Sequence, residues 1–385
     1  MRHSRDRALI AAIAAATVYG ISIGQAVPLL SLLLEHRGTD ATLTGINAAA
    51  AFAGVLAGPL MTSHGVRAMG VRNFLMLCLA LETAIFPLFK LYDGFAAWLM
   101  MRVVCGILGA NIFTASEAWI NLLAADRGRG RIVGLYATAL AAGFAIGPMV
   151  LSFTGIAGWL PFIVNCAVTV VALLPLLSVS NKVGNFGSQR GPNPLVMFLR
   201  APVIVLSIAL FGLYEATMLA LLPIWGVRMG FTPQLAAAGV SAVFIGSISL
   251  QWPIGWLSDH APRLVALRLC GAAALAGSLV LVALARPVPS FLAVLGIWGG
   301  IASAVYPIAL SMAGDRFRGG ELVSINAAII IAYGIGGTVG PGLGGLAMDR
   351  WDPQGLPTFF ALLFSVFLGV SLVPFSRSSA PGFPE

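Results

Sequence analysis

Charged side chains are scarce in this sequence of 385 residues: 14 are acidic and 22 are basic, which together make 9% of the chain. Soluble domains usually carry about 25% charged residues. Hydrophobic residues make up 59%, and the mean hydropathy is +0.94. So little polar surface cannot cover a water-soluble fold, and the composition therefore predicts an integral membrane protein.

Cysteine and histidine are also rare, with four of each. The cysteines lie inside apolar runs and lack the spacing of metal ligands, which indicates buried free thiols. The H-E-x-x-H motif and paired intramembrane aspartates are absent, which disfavours an enzyme. We expect no metal site and no cofactor. The net charge of +8 does not indicate nucleic-acid binding, because the basic residues lie in short breaks between apolar runs.

Apolar runs of helical length are abundant. About 20 apolar residues cross a bilayer as a helix, and these runs lack the alternation of β-barrel strands. The first run continues too far for the core of a signal peptide, so we expect a retained helix. The fold class is therefore predicted as all-α, with twelve transmembrane helices at 8–34, 41–63, 73–90, 95–123, 131–154, 158–179, 201–226, 233–257, 264–285, 288–313, 321–347 and 356–375.

Two landmarks recur at nearly one offset. Asp126-Arg127-Gly128-Arg129-Gly130 is followed 189 residues later by Asp315-Arg316-Phe317-Arg318-Gly319, and Gly143-x-x-x-Gly147-Pro148 is followed 193 residues later by Gly336-x-x-x-Gly340-Pro341. This repetition indicates a duplication into two pseudo-symmetric six-helix bundles. The one long polar break predicts the boundaries: an N-terminal bundle at 1–179, a cytoplasmic linker at 180–200 and a C-terminal bundle with a short cytoplasmic tail at 201–385.

The distribution of basic residues predicts the orientation. With a cytoplasmic N-terminus, 16 lysines and arginines fall in cytoplasmic segments and five fall outside, while Arg102 lies within a span. Cytoplasmic loops carry such an excess of positive charge. We therefore expect a multi-pass protein with both termini in the cytoplasm.

Arg102 and Glu82 are two of four charged residues inside the predicted spans, where a charge costs about 2.5–3.5 kcal/mol on insertion scales. They lie symmetrically about the turn near Tyr92, so they could meet at one depth of antiparallel helices. A structural ion pair between helices is one interpretation. The other is a coupling carboxylate whose ionised form Arg102 stabilises.

Glu215 and Glu117 are the other two. Glu215 lies near the middle of the seventh span, where removal from water favours the protonated acid, so it is a candidate proton carrier. A hydrogen-bond partner that bridges helices is the alternative. Glu117 lies about two turns from the cytoplasmic end of the fourth span, where a structural or gating role is favoured over substrate contact.

A polar stripe follows one broad side of the first span: Tyr19, Ser22 and Gln25. These side chains either face a substrate cavity or form hydrogen bonds between helices, which contribute about 0.6 kcal/mol each on average. Weaker candidates of the same kind are Asn111, Gln251, Trp298, Tyr306, Asn326 and Tyr333.

Several segments resemble the major facilitator superfamily, and the resemblance covers essentially the whole chain. The loop from Gly58 to Arg67 follows the superfamily pattern with Thr62 at the acidic position, and the second loop, from Gly255 to Arg263, has Asp259 there. Arg102-Val103-Val104-Cys105-Gly106 is similar to the R-x-x-Q-G motif of the fourth helix, with Cys105 in place of Gln. Three further segments resemble the YcaD-like branch: Glu117-Ala118-Trp119-Ile120-Asn121, Gly212-Leu213-Tyr214-Glu215-Ala216 and Leu250-Gln251-Trp252-Pro253-Ile254-Gly255.

The resemblance implies a transporter whose first, fourth, seventh and tenth helices line a central cavity. It places Arg102 where the superfamily often has a coupling arginine. The Gly-Pro pairs at Gly147, Pro148, Gly340 and Pro341 are expected to bend their helices near the interface of the halves. Loop residues expected to act as gates are Arg67, Asp126, Arg127, Asp259, Arg263, Asp315 and Arg316.

The sequence therefore predicts a secondary transporter that moves a small solute by alternating access. Proton coupling is expected, and the motif of the fifth helix favours export. The alternatives are an uncoupled facilitator, an uptake symporter and a membrane sensor or scaffold descended from a transporter. The expected partners are a small-molecule substrate, protons and the lipid bilayer, and no nucleic acid; we expect a monomer in the bacterial inner membrane.

Overall fold

The computed structural model describes residues 2–123, 129–179, 193–284 and 288–372. Within these ranges the secondary structure is helical, with short turns between the helices. The helices are α1 (Arg2–His36), α2 (Ala41–Met69), α3 (Val71–Ile85), α4 (Leu88–Leu91), α5 (Phe95–Leu123), α6 (Arg129–Thr154), α7 (Leu160–Leu177), α8 (Pro194–Arg200), α9 (Pro202–Arg228), α10 (Pro233–His260), α11 (Arg263–Leu284), α12 (Val288–Ser303), α13 (Val305–Arg316), α14 (Gly319–Arg350) and α15 (Gly355–Leu372).

Twelve segments in the described ranges are long and apolar enough to cross a membrane, which confirms the predicted number of spans and the all-α class. Two of these segments are interrupted helices, α3 with α4 and α12 with α13. A proline lies at each point: Pro87 within the interruption between α3 and α4, and Pro307 in the first turn of α13. Since proline cannot donate a backbone hydrogen bond, the helical ladder loses a bond at each of these points.

Part of the predicted linker is folded. Residues 180–192 lie outside the described ranges, but α8 follows them as a short helix, and the Asn193 side chain accepts a hydrogen bond from the Leu195 N–H at its start (3.0 Å). Met197 is fully buried, and Arg200 forms an ion pair with Glu321 on α14 (2.8 Å). The packing of the second half thus begins before residue 201, because α8 carries an apolar face.

The duplicated Gly-x-x-x-Gly-Pro motif allows close helix packing in both halves. A Cβ atom on Gly147 would lie 2.4 Å from the carbonyl oxygen of Ile21, and one on Gly340 would lie 2.5 Å from that of Leu213. Only glycine therefore lets α6 pack this closely on α1, and α14 on α9. Both helices continue through Pro148 and Pro341. The bends predicted there stay a prediction.

The bundle has two ends, which we name after the predicted orientation. At the inner end α1 begins and α15 ends, and the turns between α2 and α3, between α10 and α11 and between α13 and α14 lie there. At the outer end lie the turns between α1 and α2, α4 and α5, α6 and α7, α9 and α10, and α14 and α15. The N-half comprises α1 to α7, and the C-half comprises α8 to α15.

Candidate functional site: a cleft between the two halves

The hydrophobic core is shared between the halves at the outer end only. Val27, Ala41, Ala48 and Ala145 of the N-half belong to a buried cluster made mostly of C-half residues, and Ala237 of the C-half belongs to an N-half cluster. At the inner end the two described clusters are separate: one draws only on residues 8–179 and the other only on residues 197–332. We call this inner separation of the halves the cleft.

Glycine and proline bring α2 and α14 together at the outer end. A Cβ atom on Gly45 would lie 2.0 Å from the carbonyl oxygen of Pro341, and one on Gly345 would lie 2.2 Å from that of Ala41. The contact continues to mid-membrane, where Gly337 faces the Phe52 ring. Backbones this close leave no room for a solute between the two helices.

The α6 and α10 helices form the matching contact on the other side of the bundle. The rings of Phe144 and Phe244 stack with their centroids 5.4 Å apart, and nearer the outer end Leu151 and Ala237 share one buried cluster. Two pairs of helices, one on each side, therefore hold the halves together above the cleft.

An ion-pair network at the outer end crosses between the halves. Arg228 at the end of α9 donates to both oxygens of Glu35 on α1, at 2.9 and 3.1 Å. Its guanidinium also lies 3.6 Å from Asp349 and 3.6 Å from Asp352. We call these four residues the outer latch. A guanidinium that donates two hydrogen bonds to one carboxylate fixes the relative orientation of the two groups as well as attracting them.

Asp349 extends the outer latch to α2. Its carboxylate accepts hydrogen bonds from the N–H groups of Ala41 and Thr42, at 3.0 and 2.8 Å, and from the Thr42 hydroxyl at 2.6 Å. Asp349 thus holds α14 to α2 at the outer end.

The closed end of the cleft carries a carboxylate. Glu215 on α9 is partly exposed, and the Tyr333 hydroxyl on α14 donates to its Oε2 at 2.6 Å. The Tyr333 ring packs against Phe52 of the N-half, with centroids 5.9 Å apart. The hydrogen-bonded pair of Glu215 and Tyr333 therefore lies next to the close contact between α2 and α14. Tyr19 of α1 is near enough to Tyr333 to act on it electrostatically.

The wall of the cleft continues through Tyr306 to Glu117. Tyr306 on α13 is partly exposed and packs against Phe211 at 5.1 Å. Tyr306 is close enough to Glu117 of the N-half and to Glu215 of the C-half for both carboxylates to act on it electrostatically. Glu117 is exposed near the inner end of α5. Tyr136 on α6 is 5% exposed and also close enough to Glu117 for an electrostatic effect.

The predicted meeting of Arg102 and Glu82 is not an ion pair in the described ranges. Arg102 is 4% exposed and donates from Nε to Asn47 on α2 at 3.1 Å, and its Nη2 has no described partner. Glu82 is 8% exposed, and its Oε2 has no described partner either. Both side chains are buried inside the N-half, and Arg102 is directed to α2.

Four predicted cavity residues use their polar atoms within one half. Ser22 and Gln25 bond to α7, through Asn165 at 3.0 Å and the Pro161 carbonyl at 2.9 Å. The Thr62 hydroxyl donates to Asn111 at 2.7 Å, and Trp298 donates to the Ala274 carbonyl at 3.1 Å. All four are at least 97% buried, so they belong to the helix packing rather than to the cleft.

Gly20-Ile21-Ser22-Ile23-Gly24 has the G-x-S-x-G spacing of a hydrolase nucleophile. That motif requires a sharp turn from strand to helix with an exposed serine. Here the segment lies inside α1, Ser22 is 2% exposed, and its hydroxyl donates to Asn165. The spacing therefore carries no catalytic geometry.

The remaining cavity candidates differ in position. Tyr19 is buried, with its ring against the backbone at Gly109 of α5. Gln251 on α10 and Asn326 on α14 are exposed, and no described hydrogen bond holds either side chain. Of the nine predicted cavity residues, the structure places Tyr306 and Tyr333 together with Glu215.

The described loop residues expected to act as gates lie at the inner end, where the described ion pair among them joins two helices of the C-half. Arg263 on α11 pairs with Asp315 on α13 at 2.9 Å, within the C-half, and not with Asp259, which is exposed. Arg316 lies over the Phe317 ring at 5.6 Å rather than on Asp315. Arg67 is exposed at the end of α2. Asp126 and Arg127 lie outside the described residues.

The sequence analysis missed the outer latch and Tyr136. Three latch residues lie at helix ends: Glu35, Arg228 and Asp349. Charges at these ends were used only to predict the orientation in the membrane, so ion pairs between them were not considered. One signal was available: acidic residues gather at the outer ends of α1 and α14, and Arg228 ends α9 on the same side.

Comparison with known proteins identifies the family. A model of the Major Facilitator Superfamily matches residues 8–299 and 240–384. The chain belongs to the major facilitator superfamily. The chain is similar to YcaD of Escherichia coli O45:K1 (strain S88 / ExPEC), described as an uncharacterized MFS-type transporter, which is 25% identical over 348 residues, or 89% of this chain and 87% of that protein.

Other relatives agree with this assignment to the superfamily. An uncharacterized MFS-type transporter of Enterobacter sp. (strain 638) is 25% identical over 346 residues, or 88% of each chain. The nucleoside transporter NupG has a similar structure, with a TM-score of 0.73 at 14% identity over 96% of each chain. A D-xylose–proton symporter gives 0.71 at 14% identity, over 94% of this chain and 97% of that chain. These two structures show the fold that this major facilitator chain shares.

Proposed function

We propose that the protein is a proton-coupled secondary transporter of a small solute and that this conformation faces the inner side. One observation carries the proposal: the core joins the two halves at the outer end and is divided at the inner end. Halves at residues 1–179 and 201–385 that rock about the mid-membrane contact would close the cleft and open the outer end. This is alternating access around a fixed site.

Glu215 is the proposed proton carrier. It lies mid-membrane, is partly exposed in the cleft, and accepts a bond from Tyr333 on another helix. A carboxylate there can take a proton in one state and release it in the other. A D-xylose–proton symporter among the structural neighbours supports proton coupling as a property of this fold. The roles proposed for Arg102 and Glu82 are secondary, since both are buried inside the N-half whereas Glu215 is partly exposed on the C-half.

Two features of the sequence support a direction of transport and a location. The 16 to 5 distribution of basic residues supports cytoplasmic termini in a bacterial inner membrane, so the cleft would open to the cytoplasm. The Gly-x-x-x-Gly-Pro motif supports antiport and therefore export. The working unit is proposed to be a monomer, because the cleft is formed by one chain.

The test uses proteoliposomes that contain a pH-sensitive dye. A library of small solutes is added, and an imposed pH gradient is varied. We expect at least one solute to move protons and to be driven by the gradient in the parent protein. Glu215→Gln should exchange that solute across the membrane without responding to the gradient. Glu321→Gln, which removes an exposed carboxylate at the inner end, is the matched control and should behave as the parent.

Two outcomes oppose the proposal. Flux through Glu215→Gln as steeply dependent on the gradient as in the parent would exclude Glu215 as the carrier. Flux in the parent that ignores the gradient would indicate an uncoupled facilitator. Failure of a broad library to change thermal stability, binding or flux would favour a sensor or scaffold.

A further inference from the structure

Both described carboxylates of the cleft stand without a cation beside them. Glu215 has one bond, from the neutral Tyr333 hydroxyl, and neither Glu215 nor Glu117 has an ion pair with any described residue. The titratable groups that act on Glu215 or are acted on by it are Tyr214, Tyr306 and Tyr333, and those around Glu117 are Tyr136 and Tyr306. All are neutral hydroxyls at physiological pH.

Four described arginines are held by groups other than Glu117 and Glu215. Arg102 is buried and bonded to Asn47, and Arg228 is held by three acids at the outer end. Arg263 and Arg200 pair with acids at the inner end. The cleft wall therefore presents two acidic side chains without an ion pair to a described residue, which favours a positive ligand.

The rest of the wall suits an apolar cation. The aromatic rings of Tyr306 and Tyr333 pack on either side of Phe211, with centroids 5.1 and 6.3 Å from it, and Tyr333 is bonded to Glu215. An aromatic face attracts a cation, more strongly when water is excluded. Tyr136 of the N-half is 5% exposed and is close enough to Glu117 and to Tyr306 for these groups to act on it electrostatically.

We propose that the substrate is a monovalent organic cation with an aromatic or aliphatic body. Glu117 attracts it at the mouth of the cleft, the rings of Tyr306 and Phe211 hold its apolar part, and Glu215 neutralises its charge at the closed end. This rests on the proposed transport function. It also explains how protons and substrate would be exchanged. A proton on Glu215 and the organic cation compete for one negative charge, so binding of either one releases the other.

The test needs no knowledge of the physiological solute. Tetraphenylphosphonium and tetraphenylborate have nearly the same shape and opposite charge. Equilibrium dialysis of each against the purified protein in a neutral detergent, at pH 8, measures binding. Binding of each ion to the Glu117→Gln/Glu215→Gln double variant measures the background uptake by the detergent micelle. We expect saturable binding of tetraphenylphosphonium above this background, and none of tetraphenylborate.

Single variants locate the site. Glu215→Gln should weaken tetraphenylphosphonium binding about tenfold or more, and Glu117→Gln about threefold. Tyr306→Leu should weaken it about three- to tenfold more than Tyr306→Phe does, because the leucine lacks an aromatic face. Glu321→Gln serves as the control for loss of a carboxylate outside the cleft. Saturable binding of tetraphenylborate, or glutamine variants that bind the phosphonium as tightly as the parent, would overturn the proposal.

The two proposals fail separately. Phosphonium binding that depends on Glu215, combined with flux that ignores the proton gradient, would retain the cationic substrate and remove the coupling. Coupled flux of a neutral or anionic solute, with no saturable phosphonium binding in the parent, would retain the coupling and remove the cationic substrate. The comparison of the two ions on the parent protein remains decisive even if a variant fails to fold.

Discussion

Arg228 and Glu35 form a two-point ion pair across the halves, with Nε 2.9 Å from Oε1 and Nη2 3.1 Å from Oε2. Both side chains are about four-fifths buried, at 18% and 19% exposure. Water screens such a pair less than an exposed one, and a hydrogen bond to a charged group contributes about 1.5–3 kcal/mol. The outer end therefore opens only when this pair and its neighbours separate.

Glu35→Gln should shift the protein towards the state that is open at the outer end. Loss of about 1–2 kcal/mol corresponds to a population change of about five- to thirtyfold. The measurement is the labelling rate of Ala48→Cys, a residue buried between the halves, by an impermeant maleimide added from outside. The four native cysteines are first replaced by alanine. Asp93→Asn breaks an ion pair with Arg37 at the same end but inside the N-half (2.8 Å). Equal acceleration by both substitutions would refute a specific latch.

Gly45→Ala should oppose closure of the outer end. Its Cβ would lie 2.0 Å from the Pro341 carbonyl oxygen, and overpacking of this kind costs about 1–3 kcal/mol. The same maleimide assay should show faster labelling. Gly342→Ala is the matched control, since its Cβ has only Ile46 nearby, at 3.9 Å. The interpretation fails if Gly342→Ala accelerates labelling as much as Gly45→Ala does.

Asn165→Ala should lower the thermal stability of the N-half without changing the substrate KM. Asn165 accepts from Ser22 (3.0 Å) and donates to the Ser22 carbonyl (3.1 Å) and to Gln25 (3.3 Å). At about 0.6 kcal/mol for each bond between membrane helices, the loss is about 1–2 kcal/mol. Unfolding in detergent, followed by tryptophan fluorescence, gives the stability. A change in KM with no loss of stability would instead return Ser22 and Gln25 to the substrate site.

Asn47→Leu should destabilise the protein by about 1–3 kcal/mol, because it leaves the buried guanidinium of Arg102 without its described acceptor. The double variant Asn47→Leu/Arg102→Met should recover most of that stability, since replacing both partners of a buried polar pair by apolar groups is often neutral. Unfolding in detergent measures both. If the stable double variant also transports normally, Arg102 is structural; if it has lost gradient-driven flux, Arg102 belongs to the coupling pathway.

The number of membrane spans and the duplication could be predicted from the sequence for a physical reason. Lipid cannot satisfy backbone hydrogen bonds, so each crossing requires one apolar helix, and the run lengths count the crossings. The duplicated glycines at Gly147 and Gly340 were visible for a similar reason, since close helix packing admits few other residues.

The rotation of each helix about its axis, which decides the neighbours that its side chains face, could not be predicted from the sequence. Glu82 and Arg102 were expected to meet across a helical hairpin, yet Arg102 is directed to Asn47 on a third helix. Ser22 and Gln25 face α7, because the polar stripe of α1 follows its neighbour within the half. Glu215 and Tyr333 were each singled out from their residue type, but their hydrogen bond depends on how α14 packs on α9.

Asp349 gives the α2 helix an N-terminal cap from the opposite half of the molecule. The residue that precedes α2, Asp40, makes no side-chain capping bond of its own. When the outer end parts, two amides of the first turn lose their acceptor, and Asp40 is the carboxylate placed to replace it. Each transport cycle would thus exchange one helix cap for another, and hydrogen exchange at Ala41 and Thr42 would report how often the molecule makes the exchange.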